Sequence, residues 1–482
     1  MAKGKYVRSI PNPKKTKRTK KSPFIIHVLL SFITIFILAA TVYKIIEFVT
    51  SQNSTNNFPK LEISLAEVPI EQINIDSKDV EHPEKSAIKY PNNTITFTIN
   101  NETTVYNDVE IKGHGNSTWA QAKKPYQLKL PEKTSLFGYG ASKKWILLAD
   151  YQDETHLRND TAFFLEHLLK PENNINGHHL ELYIDNIYYG LYYLAEKVEI
   201  GKNRLDLKDP SGIITEIDNL HNTDEICPIH AKNGDCIIIH DVVNQDLSDQ
   251  SMEIFIKKFN DLVTATSKKD YTTISKIIDV DSFARYFLIK EFTNDQDAYG
   301  SSFFLYTDGE QDKIHVGPAW DFDAAFGNKH LGEYSEAISP SSDTIFKNIS
   351  TSSNTSKTAA EEHALHISNV VYSLLDIPEF KARVKEIYQS TLSGHSEEIL
   401  DHIKNQAIYI RDAALRDQER WKLKTNFDEE VDYLIDWVAK RYNHFEQTYG
   451  KDAKEPEENK NEEDIESSPK EIPAEPITLE ES

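Results

Sequence analysis

Cysteine is nearly absent from this chain: Cys227 and Cys236 are the only two in 482 residues. That excludes a disulfide-dense scaffold, and without a C-x-x-C pair it gives little support to a thiolate zinc site. Positive charge is scarce over most of the length. Residues 1–22 hold nine Lys or Arg and no acid, which leaves 45 basic against 77 acidic residues elsewhere, a net −32. A body so poor in cations is excluded as a nucleic-acid binder, whose phosphates require the opposite sign. No internal repeat is present. Asp, Glu, Lys and Arg are all missing from Phe24 to Tyr43.

That uncharged run is twenty residues long. A helix of that length rises about 30 Å, the thickness of the hydrocarbon core. The basic arm at 1–23 is expected to stay in the cytoplasm. The plan is therefore an arm, a transmembrane helix within 24–49, a polar linker at 50–58 and a folded body at 59–450. This is a single-pass membrane protein whose main domain lies outside the cytoplasm. A signal peptide is the competing reading, but the apolar stretch is too long and no A-x-A-like site follows at once. Residues 451–482 are rich in Glu, Pro and Lys and too poor in apolar groups to fold, so they read as a disordered acidic tail. Outside the cytoplasm the two cysteines can pair across the loop containing Asn233-Gly234; in a reducing compartment they stay thiols.

The body starts β-rich. Thr94 to Ile99 alternates as TITFTI, and Tyr126, Leu128 and Leu130 share one face of a strand with Gln127 and Lys129 on the other. Between them lies GHGNSTW. Gly113 and Gly115 permit a tight turn, and with Asn116 and Ser117 the loop can cradle phosphate through its N–H groups. Lys129 behind it suits a phosphate-holding lysine, or one that simply reaches solvent. Asp153 to Leu169 reads as a helix capped by Asp153 and carrying Arg158. Its Glu154 or Glu166 is a candidate partner for Lys129. Leu180–Ile184 and Ile187–Leu194 form a hairpin over Asp185-Asn186, with Glu196 and Lys197 directly after it, and 212–217 (GIITEI) is a further strand. Helices follow over 252–263 and Asp281–Phe292. Residues 360–447 carry apolar positions at intervals of three and four, as in Ile399, Ile403, Ala407, Ile410 and Ala414. The fold class is α+β, with a β-rich lobe followed by a helical one.

The chemistry-bearing stretch is Asn294 to Gly327, NDQDAYGSSFFLYTDGEQDKIHVGPAWDFDAAFG. Phe303 to Tyr306 is a strand, Asp308-Gly309 a turn, and Lys313 to Val316 the return strand. Asp295 and Asp297 precede the hairpin; Asp321 and Asp323 follow it. A hairpin brings its ends together, and converging carboxylates call for a hard cation such as Mg²⁺. Asp and Asn are also ordinary turn residues, and Trp320, Phe322 and Phe326 suit a core equally well.

GHGNSTW with KKPYQLKL, ELYIDNIYYGLYYLAEKV, NDQDAYGSSFFLY and PAWDFDAAFG occur in that order. Together they make the chain resemble the CotH kinase family, atypical kinases named for a spore-coat protein, over roughly residues 60–447. The resemblance implies a divergent protein-kinase-like two-lobed fold. It also implies transfer of the ATP γ-phosphate, with Mg²⁺ or Mn²⁺, to Ser or Thr of a protein substrate rich in those residues. It makes Asp297 the catalytic aspartate. Asp321 and Asp323 become metal ligands, Lys129 and the Gly113–Trp119 loop phosphate-binding elements, and Glu196 a nucleotide contact. Kinases of this plan carry Asn five residues after the catalytic Asp. Here that position is Ser302, a neutral ligand on a shorter side chain, which leaves a catalytically degenerate surface module binding protein or glycan as the alternative.

Overall fold

The structure, a computed structural model, describes residues 58–76, 88–115, 117–218, 227, 229–295, 298–299, 301–330, 339–341 and 370–451. The basic arm, the apolar run at 24–49, most of the linker, Asn116, Asp297, residues 342–369 and residues from 452 onward lie outside it. Among the described residues, no helix is long and apolar enough to cross a membrane.

Period-two alternation builds the first half. Strands β1 (Lys60–Ser64), β2 (Tyr90–Ile99), β3 (Glu102–Gly113), β4 (Tyr126–Thr134), β5 (Ser142–Leu148), β6 (Gly177–Ile184) and β7 (Ile187–Glu196) form a closed barrel in the order β1-β2-β3-β4-β5-β7-β6. Every neighbouring pair is antiparallel except the closing one, β1 with β6. Ile95 and Phe97 of TITFTI, and Tyr126, Leu128 and Leu130 of β4, all lie in the barrel core, so Gln127 and Lys129 take the opposite face. A short helix, α1 (Ile70–Asp76), interrupts the expected run of strands; its Ile70 and Ile73 join the same core.

Helix α2 (Arg158–Leu169) joins β5 to β6. It starts five residues later than the sequence suggests. Asp153 accepts hydrogen bonds from the Thr155 amide (3.0 Å) and hydroxyl (2.6 Å) and from the Arg158 amide (2.8 Å), and also pairs with the Arg158 guanidinium. Those local bonds compete with helix formation over 153–157, and Glu154 falls outside the helix as a result.

A second sheet has the order β11-β10-β8-β9, from β8 (Ile213–Ile217), β9 (Ile237–Val242), β10 (Phe303–Thr307) and β11 (His315–Val316). The acidic hairpin is thus one edge of a four-stranded sheet, not an insert among helices. Its return strand is two residues long instead of four. Ile314 leaves the ladder because its amide donates to Ile277 O (2.8 Å) and its carbonyl accepts from the Asp279 amide (2.9 Å).

Helices α3 (Ser248–Ser267), α4 (Tyr271–Ile277), α5 (Val280–Thr293), α6 (Pro378–Thr391), α7 (Ser396–Trp421) and α8 (Phe427–Tyr449) complete the fold. Asp270, Asp279 and Asn426 cap α4, α5 and α8 through side-chain bonds to Thr273, Ser282 and Asp428 amides. Along α7, Ile399, Ile403, Ala407, Ile410 and Ala414 are buried at intervals of three and four and form the stripe that packs α7 into the larger core. The fold is α+β, β-rich first and helical after.

Cys227 and Cys236 form a disulfide with Cα atoms 5.7 Å apart, on the entry to β9. Closing so short a loop removes chain entropy worth about 2–3 kcal/mol from the unfolded state. Cys236→Ser is expected to lower the denaturant midpoint accordingly. A wild type insensitive to reductant in the same titration would show that the bond contributes nothing.

Candidate functional site

At the acidic end, α5 stops where Asn294 adopts left-handed backbone, φ 48°. Asp295 follows and is fully buried. Its Oδ2 lies 2.6 Å from Lys290 Nζ, which also donates to Trp320 O (2.7 Å) and sits 4.2 Å from the centre of the Phe322 ring. Asp295 therefore serves as the counter-ion of a buried lysine. The two ends of the hairpin do meet: Ser302 Oγ lies 3.3 Å from Asp321 Oδ2. Both residues hold left-handed backbone, φ 52° and 64°. For non-glycine residues this costs on the order of 1 kcal/mol each and is tolerated where the surroundings over-determine it. Asp323 is half-buried, and its carbonyl accepts from Asn328 Nδ2 at 2.8 Å.

Among the described residues, no group of three or more His, Cys, Asp or Glu is placed to hold a metal ion. The donors that are present, the Asp321 carboxylate and Ser302 hydroxyl, are hard oxygens, and they fit Mg²⁺ or Mn²⁺ better than a soft metal.

Cations gather on the barrel side. Gly115 has φ 76°, and a Cβ there would come within 2.3 Å of Thr118 Oγ1; one on Gly113 would come within 2.9 Å of the Trp119 ring. Both glycines are thus needed to fold the loop over Trp119, and Ser117 opens the single 3-10 turn that follows. Between them, His114 sets its ring edge-on to Trp320, centroids 6.4 Å apart. Burial first, then the charges of Lys197 and Lys112 and the proximity of His240, push its pKa down to about 3, so it stays neutral.

Lys197 follows β7 directly. Its Nζ donates to Val198 O (3.1 Å) and lies 3.3 Å from His240 Nε2. Among the described residues, no carboxylate lies within ion-pairing distance of it. Burial, then Lys144, bring its pKa down to about 8, with Lys112 adding to the effect and Glu199 and Asp241 opposing it. A partly buried ammonium crowded by other ammonium groups is a site that favours a polyanion. Lys197 also lines a polar pocket of about 330 Å³ with Asn173, Asn176, Glu196, Arg204 and Pro318. Pro318 lies two residues before Trp320, and the His114 ring reaches Trp320 from the barrel loop, but neither Ser302 nor Asp321 lines this pocket.

The other expected residues divide. Lys129 is half-buried on β4, between Glu110 of β3 and Lys144 of β5. It pairs with neither Glu154, which accepts from Thr425 Oγ1 (2.6 Å), nor Glu166, which accepts from the Ala319 amide (2.8 Å). Glu196 lines the pocket, but both its oxygens are engaged, Oε1 by Arg204 Nη1 (2.7 Å) and Oε2 by Asn176 Nδ2 (2.8 Å). Arg204 keeps Nε and Nη2 buried without a partner. The sequence reading passed over Lys112, Lys144, His114 and Lys290. Only Lys290 left a trace, one of two adjacent charges, with Glu291, inside an apolar helix end (FLIKEF).

The sequence profile of the CotH kinase protein family matches residues 111–445. The inner spore coat protein H of Bacillus subtilis (strain 168) is 23% identical over 348 residues, covering 69% of this chain and 85% of that protein. The matched segment runs from the end of β3 to α8 and takes in the glycine loop, the lysine-lined pocket and the Ser302–Asp321 contact. The chain belongs to the CotH kinase family.

Proposed function

We propose that this chain is a membrane-anchored protein kinase of the CotH type on a divergent two-lobed kinase-like fold. It would transfer the ATP γ-phosphate to Ser or Thr of a surface or spore-coat-type protein. The observation that carries the reading is the Ser302–Asp321 contact (3.3 Å), with Asp321 three residues along the chain from Pro318, which lines a pocket with Lys197. Acids that hold a divalent cation, facing cations that hold phosphates, are the parts phosphoryl transfer needs, since it depends on positioning and charge neutralisation. Asp321, with Ser302 and Asp323, would hold Mg²⁺ or Mn²⁺. Lys197, Lys144, Lys129 and the Gly113–Ser117 loop would bind the phosphates, with Asn116 and Glu196 assigned by family resemblance. The metal supplies neutralisation of charge on the transferring group. Asp297 would take the proton of the attacking Ser or Thr hydroxyl as the bond from γ-phosphorus to ADP breaks.

The disulfide fits an oxidising compartment. With the apolar run at 24–49 it supports a body held outside the cytoplasm. Phe58, where the described chain begins, packs against Tyr409 of α7 with ring centroids 5.0 Å apart and planes tilted, next to where an anchor would join the body. Ser302 in the second metal position favours a second reading, a non-catalytic binding module. The test is phosphate transfer from labelled ATP with Mn²⁺ or Mg²⁺ to a Ser-rich protein, and thermal shift with the same ligands. Asp297→Ala and Asp321→Asn are each expected to reduce transfer at least a hundredfold. Transfer that survives both changes sinks the assignment, and a fold unmoved by millimolar nucleotide and metal supports the binding module.

A further inference from the structure

Helix α2 makes three side-chain bonds to the backbone of the WDFD segment. Glu166 Oε1 accepts from the Ala319 amide (2.8 Å), Asn159 Oδ1 accepts from the Phe322 amide (3.0 Å), and Arg158 Nε donates to Ala325 O (3.1 Å). Phe163, between them on the helix, lays its ring 5.9 Å from both Trp320 and Phe322. Residues 159, 163 and 166 recur at helical spacing, so one face of α2 grips both sides of Asp321. The grip is itself anchored: Asn159 Nδ2 donates to Asp150 Oδ1 (2.9 Å) at the end of β5.

Asp321 stands at φ 64°, a conformation an aspartate leaves readily unless its neighbours forbid it. The Phe322 amide is the next peptide along, so its direction sets the ψ of Asp321. Resting on the reading of Asp321 as a metal ligand, we propose that Asn159 is its positioning residue. It holds the Phe322 amide, and with it the left-handed turn that aims the Asp321 carboxylate at Ser302, without touching metal or substrate. Outer-shell partners of this kind are worth about 10- to 100-fold in metal affinity.

The test uses the full chain and compares Asn159→Leu, which keeps the branched outline with added bulk and removes the acceptor, with Leu169→Ala. The latter weakens the same helix, but its side chain makes no hydrogen bond to the loop. Two measurements are made: hydrogen exchange over 319–326, and Mn²⁺ binding in the presence of ATP. Asn159→Leu is expected to speed exchange at the Phe322 amide and raise the Mn²⁺ dissociation constant about tenfold. Leu169→Ala is expected to lower the thermal midpoint and leave both nearly unchanged. Equal exchange at Phe322 in wild type and Asn159→Leu overturns the proposal, as does a Mn²⁺ constant that follows the thermal midpoint in both variants. If wild type protects the Phe322 amide, Asn159→Leu exposes it and neither binds Mn²⁺, the positioning stands and the metal reading of Asp321 falls.

Discussion

Lys197→Met is expected to weaken binding of ATP with Mg²⁺ by about 10- to 100-fold while leaving the thermal midpoint unchanged or raised. The side chain is half-buried, and Met replaces its aliphatic stem at similar volume, so packing survives. What is lost is an ammonium held without a carboxylate partner beside Lys144 and Lys112. A hydrogen bond to a charged group contributes about 1.5–3 kcal/mol, which sets the size of the effect. The pH dependence separates this from a general disturbance. The pKa of Lys197 is lowered to about 8 in the free protein, and a bound polyanion favours the charged form and raises it. Above pH 8 the free amine must take up a proton before it can bind phosphate. Wild-type affinity should therefore fall as pH rises from 8, with proton uptake visible when calorimetry is repeated in buffers of different ionisation enthalpy. Lys197→Met should show neither the slope nor the uptake. An unchanged nucleotide constant in the variant would remove Lys197 from the phosphate site.

Glu166→Gln is expected to stabilise the protein at pH 8 and flatten its stability profile. Burial drives the Glu166 carboxyl up to about 8, against the Ala319 amide and the Lys290 charge, which both pull it down. In the unfolded chain the same group titrates near 4.5. Between those values the folded state holds a proton that the unfolded state has released. The unfolded state binds fewer protons, so stability falls as pH rises from about 4.5 to 8. The accumulated loss is on the order of a few kcal/mol. Glutamine keeps an oxygen for the Ala319 amide and cannot ionise. The denaturant midpoint of the variant should change less between pH 5 and 8 than that of wild type, and should exceed it at the upper end. Parallel profiles would mean that Glu166 is not protonated in the fold.

Elements built from local pattern were readable in the chain. TITFTI, YQLKL and the ELYIDNIYYGLYYL hairpin declare themselves by alternation and turn residues. Residues 399–414 do so by helical spacing. Hairpin topology foretold that the two ends approach, though the contact seen is Ser302 with Asp321, while Asp295 turns to Lys290 and Asp297 lies outside the described residues. What escaped depends on contacts between distant segments. Nothing near Ile63 announces that β1 will pair with β6 some 120 residues later. The strand Ile237–Val242 was not predicted and hid behind the cysteines although CIIIHDVV is a β-like run. The start of α2 was misplaced because Asp153 bonds to four groups within five residues, which capping rules do not anticipate. The acids were all treated alike, yet Asp295 neutralises Lys290 and Asp321 faces Ser302. That division depends on which side chain the fold buries, and spacing carries no such information.

Barrel closure has a consequence for any attempt to work with part of the protein. The family match begins at residue 111, inside β3, yet the ring is shut by β1, whose Lys60–Ile63 pair with Glu181–Ile184. A fragment trimmed to the matched boundaries would keep the cleft residues and lose two whole staves. It would leave the outer hydrogen-bonding rims of β6 and of what remains of β3 bare, each a template for pairing with another chain. Soluble, monomeric preparations should therefore begin no later than Phe58, immediately before the first stave.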